Sequence, residues 1–230
     1  MRSKHLVPFI VSCALLPLPI SAQQAFEGTI KYHIRGQGVD SEMVQHVSGD
    51  RIRVEMSTAM GASIMIMDTR AETMLVLMPA QKMYMKMDLQ SAAELADQLQ
   101  AGKRQEMEED FSLTATGKKE TIAGHECEHY TMKQGDSAVD VCAAKGLGFY
   151  MGSNRGMSGP GRGEQQRGMG GLSKAQEAAL RARFKDGFLP LRTEVGGMIM
   201  EATSIEMKKL PTDLFKAPEG YNEMKVPGRL

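Results

Sequence analysis

Between Phe26 and Asp88 apolar and polar residues keep trading places, and a period of two leaves these residues little to fold into except sheet. Phe26, Gly28, Ile30, Tyr32 and Ile34 alternate with Glu27, Thr29, Lys31 and His33, the pattern of a half-buried strand. Val39 to Val47 repeats it more weakly, and Ser48-Gly49-Asp50 supplies a turn. Ile52, Val54 and Met56 then alternate with Arg51, Arg53 and Glu55. The apolar runs Ser63–Met67 and Thr73–Met78 flank Asp68-Thr69-Arg70-Ala71 as a central hairpin. Pro79-Ala80-Gln81 turns the chain into Met83-Tyr84-Met85-Lys86-Met87. Six strands with short connections predict an antiparallel meander.

A helix is expected next. Ser91-Ala92-Ala93-Glu94 is a capping box, in which the Ser and Glu side chains satisfy orphan amide donors. Ala92, Leu95, Ala96 and Leu99 share one face, and Gly102 supplies the stop. Strands resume at Phe111–Ala115, Thr121–Gly124, His125–Met132 and Ser137–Cys142. Residues 146–171 are dominated by Gly, a composition that buries too little surface to offset its ordering entropy, and are expected to form a flexible loop. A second helix follows, capped by Ser173, edged by Leu180 and Phe184 and ended by Gly187. Its last turn carries Arg181, Arg183 and Lys185, the favourable sign for a helix C-terminus. A closing hairpin, Phe188–Val195 and Met198–Met207, turns at Gly196-Gly197. The expected fold class is α+β, one domain over 23–230 with roughly ten antiparallel strands and two helices.

The N-terminus reads as a signal peptide over residues 1–22. Arg2 and Lys4 precede an apolar run from Leu6 to Ile20, and Ser21-Ala22 offers the small residues of a cleavage site before Gln23. The run is shorter than a spanning helix and Pro8, Pro17 and Pro19 interrupt it. Ile10-Val11-Ser12-Cys13 loosely fits a lipoprotein box, but the apolar run continues past Cys13 to Leu18. The expected location is therefore the periplasm or the exterior, with no transmembrane segment in the mature chain. The full chain has 28 basic and 28 acidic residues. Loss of Arg2 and Lys4 leaves it slightly acidic, which argues against a nucleic-acid partner.

Export matters for Cys127 and Cys142, the two cysteines that remain, because exported pairs bond. Their midpoint falls at the turn Gln134-Gly135, so a symmetric hairpin sets them directly opposite at ~4.5–5.5 Å, within disulfide range. Such a cross-link is structural and contributes ~3 kcal/mol. His125, Cys127 and His129 share a strand face and resemble a metal set, but only if Cys127 is reduced. Twenty methionines stand out in a chain without Trp. Met65 and Met67 share one side of their strand, Met83, Met85 and Met87 one side of theirs, and Met198 and Met200 another; Tyr84, Lys86 and Asp88, on the other side of the Met83–Met87 strand, are polar and are expected to face water. Thioethers bind Cu(I), but stripes at strand spacing read first as a packed or ligand-lining sheet face. Met65, Met67, Met83, Met85 and Met87 are the candidate ligand-lining residues. No nucleophile elbow, zinc-protease helix or phosphate loop is present. Neither a catalytic residue nor a cofactor is assigned.

Three ordered stretches carry a family resemblance. The first is Asp50-Arg51-Ile52-Arg53-Val54-Glu55, followed by Met65-Ile66-Met67-Asp68 and the Pro79–Met87 strand. The second is Thr121-Ile122-Ala123-Gly124-His125-Glu126-Cys127-Glu128-His129-Tyr130. The third is Leu189-Pro190-Leu191-Arg192, closing with Leu210-Pro211-Thr212-Asp213-Leu214-Phe215 and Pro218-Glu219-Gly220-Tyr221. They resemble the bacterial exported proteins known as domain of unknown function 4412, which are similar in turn to the lipoprotein carriers LolA and LolB. The resemblance implies a single strongly curved antiparallel sheet with helices against its concave face, and no catalytic residues. The function expected is non-enzymatic binding of a hydrophobic small molecule or lipid on a Met-lined concave face. A periplasmic copper-binding protein and a structural or protein-interaction module are the alternatives.

Overall fold

A computed structural model of the chain describes residues 25–58, 61–89, 91, 111–134, 137–151 and 174–224. The alternating segments become β1 (Gly28–Gly36), β2 (Val39–Ser48), β3 (Arg51–Thr58), β4 (Gly61–Asp68), β5 (Thr73–Met78) and β6 (Met83–Asp88), each paired antiparallel to the next. After them come β7 (Phe111–Ile122), β8 (His125–Gln134), β9 (Ser137–Ala144), β10 (Gly148–Phe149), α1 (Lys174–Arg183), β11 (Gly187–Val195), β12 (Met198–Met207) and β13 (Asn222–Glu223). Short 3-10 turns cover Pro79–Gln81 and Thr212–Phe215.

All thirteen strands form one sheet, in the order β13-β6-β5-β4-β3-β2-β1-β12-β11-β9-β8-β7, with β10 beside β11. The late strand β12 pairs with the first strand β1 and so joins the N-terminal meander to the second set of strands. Bulges interrupt the ladders between Lys31 and Tyr32, between Pro190 and Arg192, and between Ala115 and Lys119. The last of these merges two expected strands into β7.

This architecture corrects the expected α+β class with about ten antiparallel strands and two helices. The sheet is mixed, because β10 runs parallel to β11 and β13 parallel to β6. Two-residue parallel pairings leave no period in a sequence, so alternation alone could not reveal them. Gly187, at φ +101°, permits the first: a Cβ there would collide with the Gly148 backbone. Among the described residues α1 is the one α-helix with a full described range, Leu89 and Ser91 are helical as well, and the fold is predominantly β. Of the expected first helix only Ser91 is described; it gives its amide and hydroxyl to Asp88, each at 2.6 Å. Of the expected flexible loop, residues 152–171 lie outside the described set, as do residues 1–22. The loop's first residues are ordered: Leu147, Phe149 and Tyr150 are buried, and Tyr150 donates its hydroxyl to Gln45 at 2.7 Å.

Three clusters make the core. One runs through the middle of the sheet, with Phe26, Ile30, Tyr32, Met43 and Leu189 among its members. In the second, α1 lays Leu180 and Phe184 on Tyr130, Val139, Val141 and Phe188. The third joins Ile66 and Leu77 to Leu210 and Phe215 of the C-terminal segment.

Candidate functional site

Directly opposed residues on paired strands point to the same side, and every second residue shares it. The register therefore carries one face across the meander. Val54, Met65, Val76 and Met85 form one row, and Ile52, Met67, Met74 and Met87 the next. Met78 lies opposite Met83, and Met43 opposite Met56. All five expected ligand-lining residues, Met65, Met67, Met83, Met85 and Met87, thus occupy one face. Met43, Met56, Met74 and Met78 join them, which parity within single strands could not show; pairing across the hairpin turns was the missing signal. Tyr32 faces Met43 and Ile34 faces Met200, so the same side continues through β1 to Met198 and Met200.

Burial on this face is graded. Met43, Met67 and Met74 are buried at 1%, 4% and 6% exposure, whereas Met56, Met65, Met78, Met83, Met85 and Met87 are half-buried. A recess of about 50 Å³ lies between Val54, Met56, Met65 and Val76. Preformed ligand pockets span roughly 300–1,000 Å³, so a ligand here needs the thioether side chains to move. Each has three rotatable bonds with which to do so.

The opposite face of the same strands is closed. Ile64, Ile66, Leu75, Leu77 and Tyr84 pack on Leu210, Leu214, Phe215 and Tyr221. The Tyr84 side of β6, expected to be polar and wet, is thus covered at Tyr84, whose hydroxyl donates to Glu223 at 3.2 Å. Lys86 and Asp88 are exposed as expected.

Cys127 and Cys142 are joined by a disulfide, with Cα atoms 5.4 Å apart. The expected direct opposition is corrected. Cys127 pairs with Ala144 and Cys142 with His129, so the bridge crosses the ladder diagonally. The hairpin closes from Gln134 to Ser137, so β8 runs two residues beyond the expected Met132 while β9 starts at Ser137 as expected. The cross-link removes Cys127 from any metal set with His125 and His129. His129 instead donates to Glu120 at 3.0 Å. Among the described residues no group of three or more His, Cys, Asp or Glu is arranged to hold a metal ion.

Beside the disulfide runs a line of charge drawn from separate strands. Glu120 of β7 takes His129 of β8 and Arg192 of β11, the latter at 2.6 Å; Arg192 also pairs with Glu201 of β12, which Arg35 of β1 approaches at 3.7 Å. Burial works against charge on Glu120, but the His129 hydrogen bond and the Arg192 charge outweigh it and hold the carboxyl below its ordinary range. Sequence offered no sign of this line, because its members come from five strands.

A second recess, of about 300 Å³, sits at the C-terminal end of α1 between Glu128, Tyr130, Lys145, Arg183, Lys185 and Asp186. Its charges are largely answered from within. Glu128 accepts from Tyr130 at 2.7 Å and Lys145 at 2.9 Å, and Arg183 donates to the Leu113 carbonyl at 2.6 Å. The methionine face is accordingly the stronger candidate.

A family model described as Domain of unknown function (DUF4412) matches residues 26–221. The chain belongs to that family. No curated protein matches the DUF4412 chain significantly. Among solved structures it is similar to an uncharacterized conserved protein from Thermus thermophilus, with a TM-score of 0.47 and 8% identity over 86% of this chain and 90% of that one. It is similar also to PNGF-II, with a TM-score of 0.43 and 14% identity over 86% of this chain, and to MucB in complex with MucA(peri), with 0.42 and 13% over 87%. The chain spans 30% of PNGF-II and 57% of MucB.

The stretches at 50–55 and 210–215, both within the matched range, meet in the fold. Arg53 donates to the Leu214 carbonyl at 3.0 Å and to Glu55 at 2.6 Å, and Arg51 lies 4.9 Å above the Phe215 ring. Both arginines hold the C-terminal segment against the sheet. Among the described residues no helix is long and apolar enough to cross a membrane.

Proposed function

We propose that this chain is a non-enzymatic exported envelope protein that presents its methionine face to a hydrophobic small molecule or lipid. One observation carries the reading: nine methionines of β2–β6 share a face, six of them half-buried, while the opposite face is closed by the C-terminal segment. Methionine is a poor choice for a rigid core, because its rotamers leave packing loosely specified. A surface that accepts acyl chains of varied shape gains from that looseness. The basic start, apolar run and Ser21-Ala22 of the N-terminus support export.

Uptake of a fluorescent fatty acid tests the reading. Met83→Asp and Met85→Asp each put a carboxylate on the face and are expected to lower uptake at least about tenfold, given the cost of desolvating a charge, with the β circular-dichroism spectrum retained. Met207→Asp, at an exposed end of β12, is expected to leave uptake unchanged. Wild-type protein that ignores apolar probes and binds Cu(I) stoichiometrically overturns the reading in favour of a thioether copper site. Protein that binds neither is an interaction module.

A further inference from the structure

We propose that the half-buried methionines of this face, Met65, Met83, Met85 and Met87 foremost, are a reversible oxidation site whose conversion to sulfoxide turns the face from apolar to polar and releases its ligand. The release rests on the ligand reading above; the modification does not. Register and burial together carry the inference. Oxidation at sulfur requires access and then adds a polar oxygen where a thioether had made only apolar contacts. Met65, Met83, Met85 and Met87 are half-buried, so an added oxygen has a direction in which to point without displacing the sheet. Met43, Met67 and Met74 share the same face at no more than 6% exposure, where an oxidant does not reach. The face thus sets accessible sulfurs beside protected ones. Accessible methionines adjoin one another or protected ones across the ladder, as in Met67, Met74 and Met87 or in Met78 and Met83. Several sulfoxides therefore fall within one patch, and their effects on its polarity add.

The oxidant class is a two-electron oxygen donor such as hypochlorous acid. The sulfur attacks the oxygen of HOCl, an S–O bond forms and the O–Cl bond breaks. Chloride leaves with the bonding pair and the proton passes to water. Sulfur loses two electrons and chlorine(I) gains them. Methionine sulfoxide reductases, which take one sulfoxide epimer each, reverse the change with thiol electrons.

The test treats full-length protein with a few equivalents of hypochlorous acid and follows four readouts: peptide mass spectrometry, circular dichroism, retention on a hydrophobic-interaction column, and fatty-acid uptake. A Met56→Leu, Met65→Leu, Met78→Leu, Met83→Leu, Met85→Leu, Met87→Leu variant keeps the face apolar but removes its six half-buried sulfurs. Expected are sulfoxides at Met65, Met83, Met85 and Met87 ahead of Met43, Met67 and Met74, an unchanged sheet spectrum, earlier elution and at least about tenfold lower uptake, as burying sulfoxides without partners demands. Both reductases together are expected to restore retention and uptake, and oxidant is expected to leave the leucine variant at its own untreated retention and uptake. The proposal is overturned if those sulfoxides form with retention unchanged, if oxidation unfolds the protein, or if the leucine variant responds equally. It is also overturned if uptake persists on the oxidised face. Untreated protein that takes up no fatty acid defeats the ligand reading alone; retention of wild type against the leucine variant then still decides the modification.

Discussion

The two ends of the sheet are packed with different materials. Over β8, β9 and β11, helix α1 sets Phe184 at 4.7 Å from Phe188 and edge-on to Tyr130 at 5.2 Å, and Arg181 lies 4.1 Å above Phe149. Over β2–β6 a similar ladder carries methionine, and those five strands place no aromatic side chain on that face. Rings have few torsions and directional contact energies, whereas methionine has more torsions and little directional preference. In a chain where aromatics are only 5% of residues, their concentration around α1 specifies one packing there and leaves the other end adjustable. A single sheet thereby supplies a fixed anchor and a yielding surface.

Truncation tests that contrast most strongly. Phe184→Ala is expected to cost about 3–5 kcal/mol, while Met85→Ala, at a half-buried position, is expected to cost less than about 2 kcal/mol, both read from urea unfolding. Equal losses would mean that the methionine face is packed as specifically as the aromatic one. Reduction of Cys127–Cys142 comes next, at about 3 kcal/mol for a cross-link of this span. It should lower the thermal midpoint in dithiothreitol; an unchanged midpoint would show that the ladder between β8 and β9 holds without it.

The smallest effect concerns pH. Glu120 is held below its ordinary value in the folded state, so between the two values the unfolded chain binds more protons. Its contribution is present above the ordinary glutamate value of 4.5 and is lost as pH falls through the lower folded value. Glu120→Gln should therefore flatten the acid limb of a stability profile below that point. His46, pushed down chiefly by burial, acts instead as pH falls below its ordinary 6.5, so the two limbs separate. An acid limb unchanged in the Gln variant would remove the charge line from the stability of the aromatic end.

Local patterning was legible wherever one residue's neighbours decide its face. Strands β1–β6, the hairpin at Gly196-Gly197, the bonded cysteines and the methionine parity all follow from period and turn chemistry. The illegible parts depend on partners distant in sequence. The line from Glu120 to Arg35 needs the order of five strands, and the burial of Tyr84 needs a segment that begins more than a hundred residues later. The disulfide register slipped for a different reason: the midpoint of two cysteines gives the turn's centre only when they sit directly opposite, and a diagonal bridge moves it by one residue. The mixed sheet was missed because β10 and β13 are two residues each.

The pairing of β13 with β6 has a consequence for assembly. Asn222 joins Met83 and Glu223 joins Tyr84 near the end of the chain, and Asn222 and Met224 donate to the carbonyls of Lys82 and Tyr84. In synthesis from the N-terminus, the meander is complete long before this strand exists, and β12 must likewise wait to meet β1. Until then β6 is a bare edge beside methionine-rich strands, a template for pairing with other chains. Contacts so distant in sequence also make for slow folding. The late strand β13 covers Met83 and Tyr84 at this edge of the sheet, and a chain cut short before Asn222 is expected to self-associate more readily than the full chain, which size-exclusion chromatography would show.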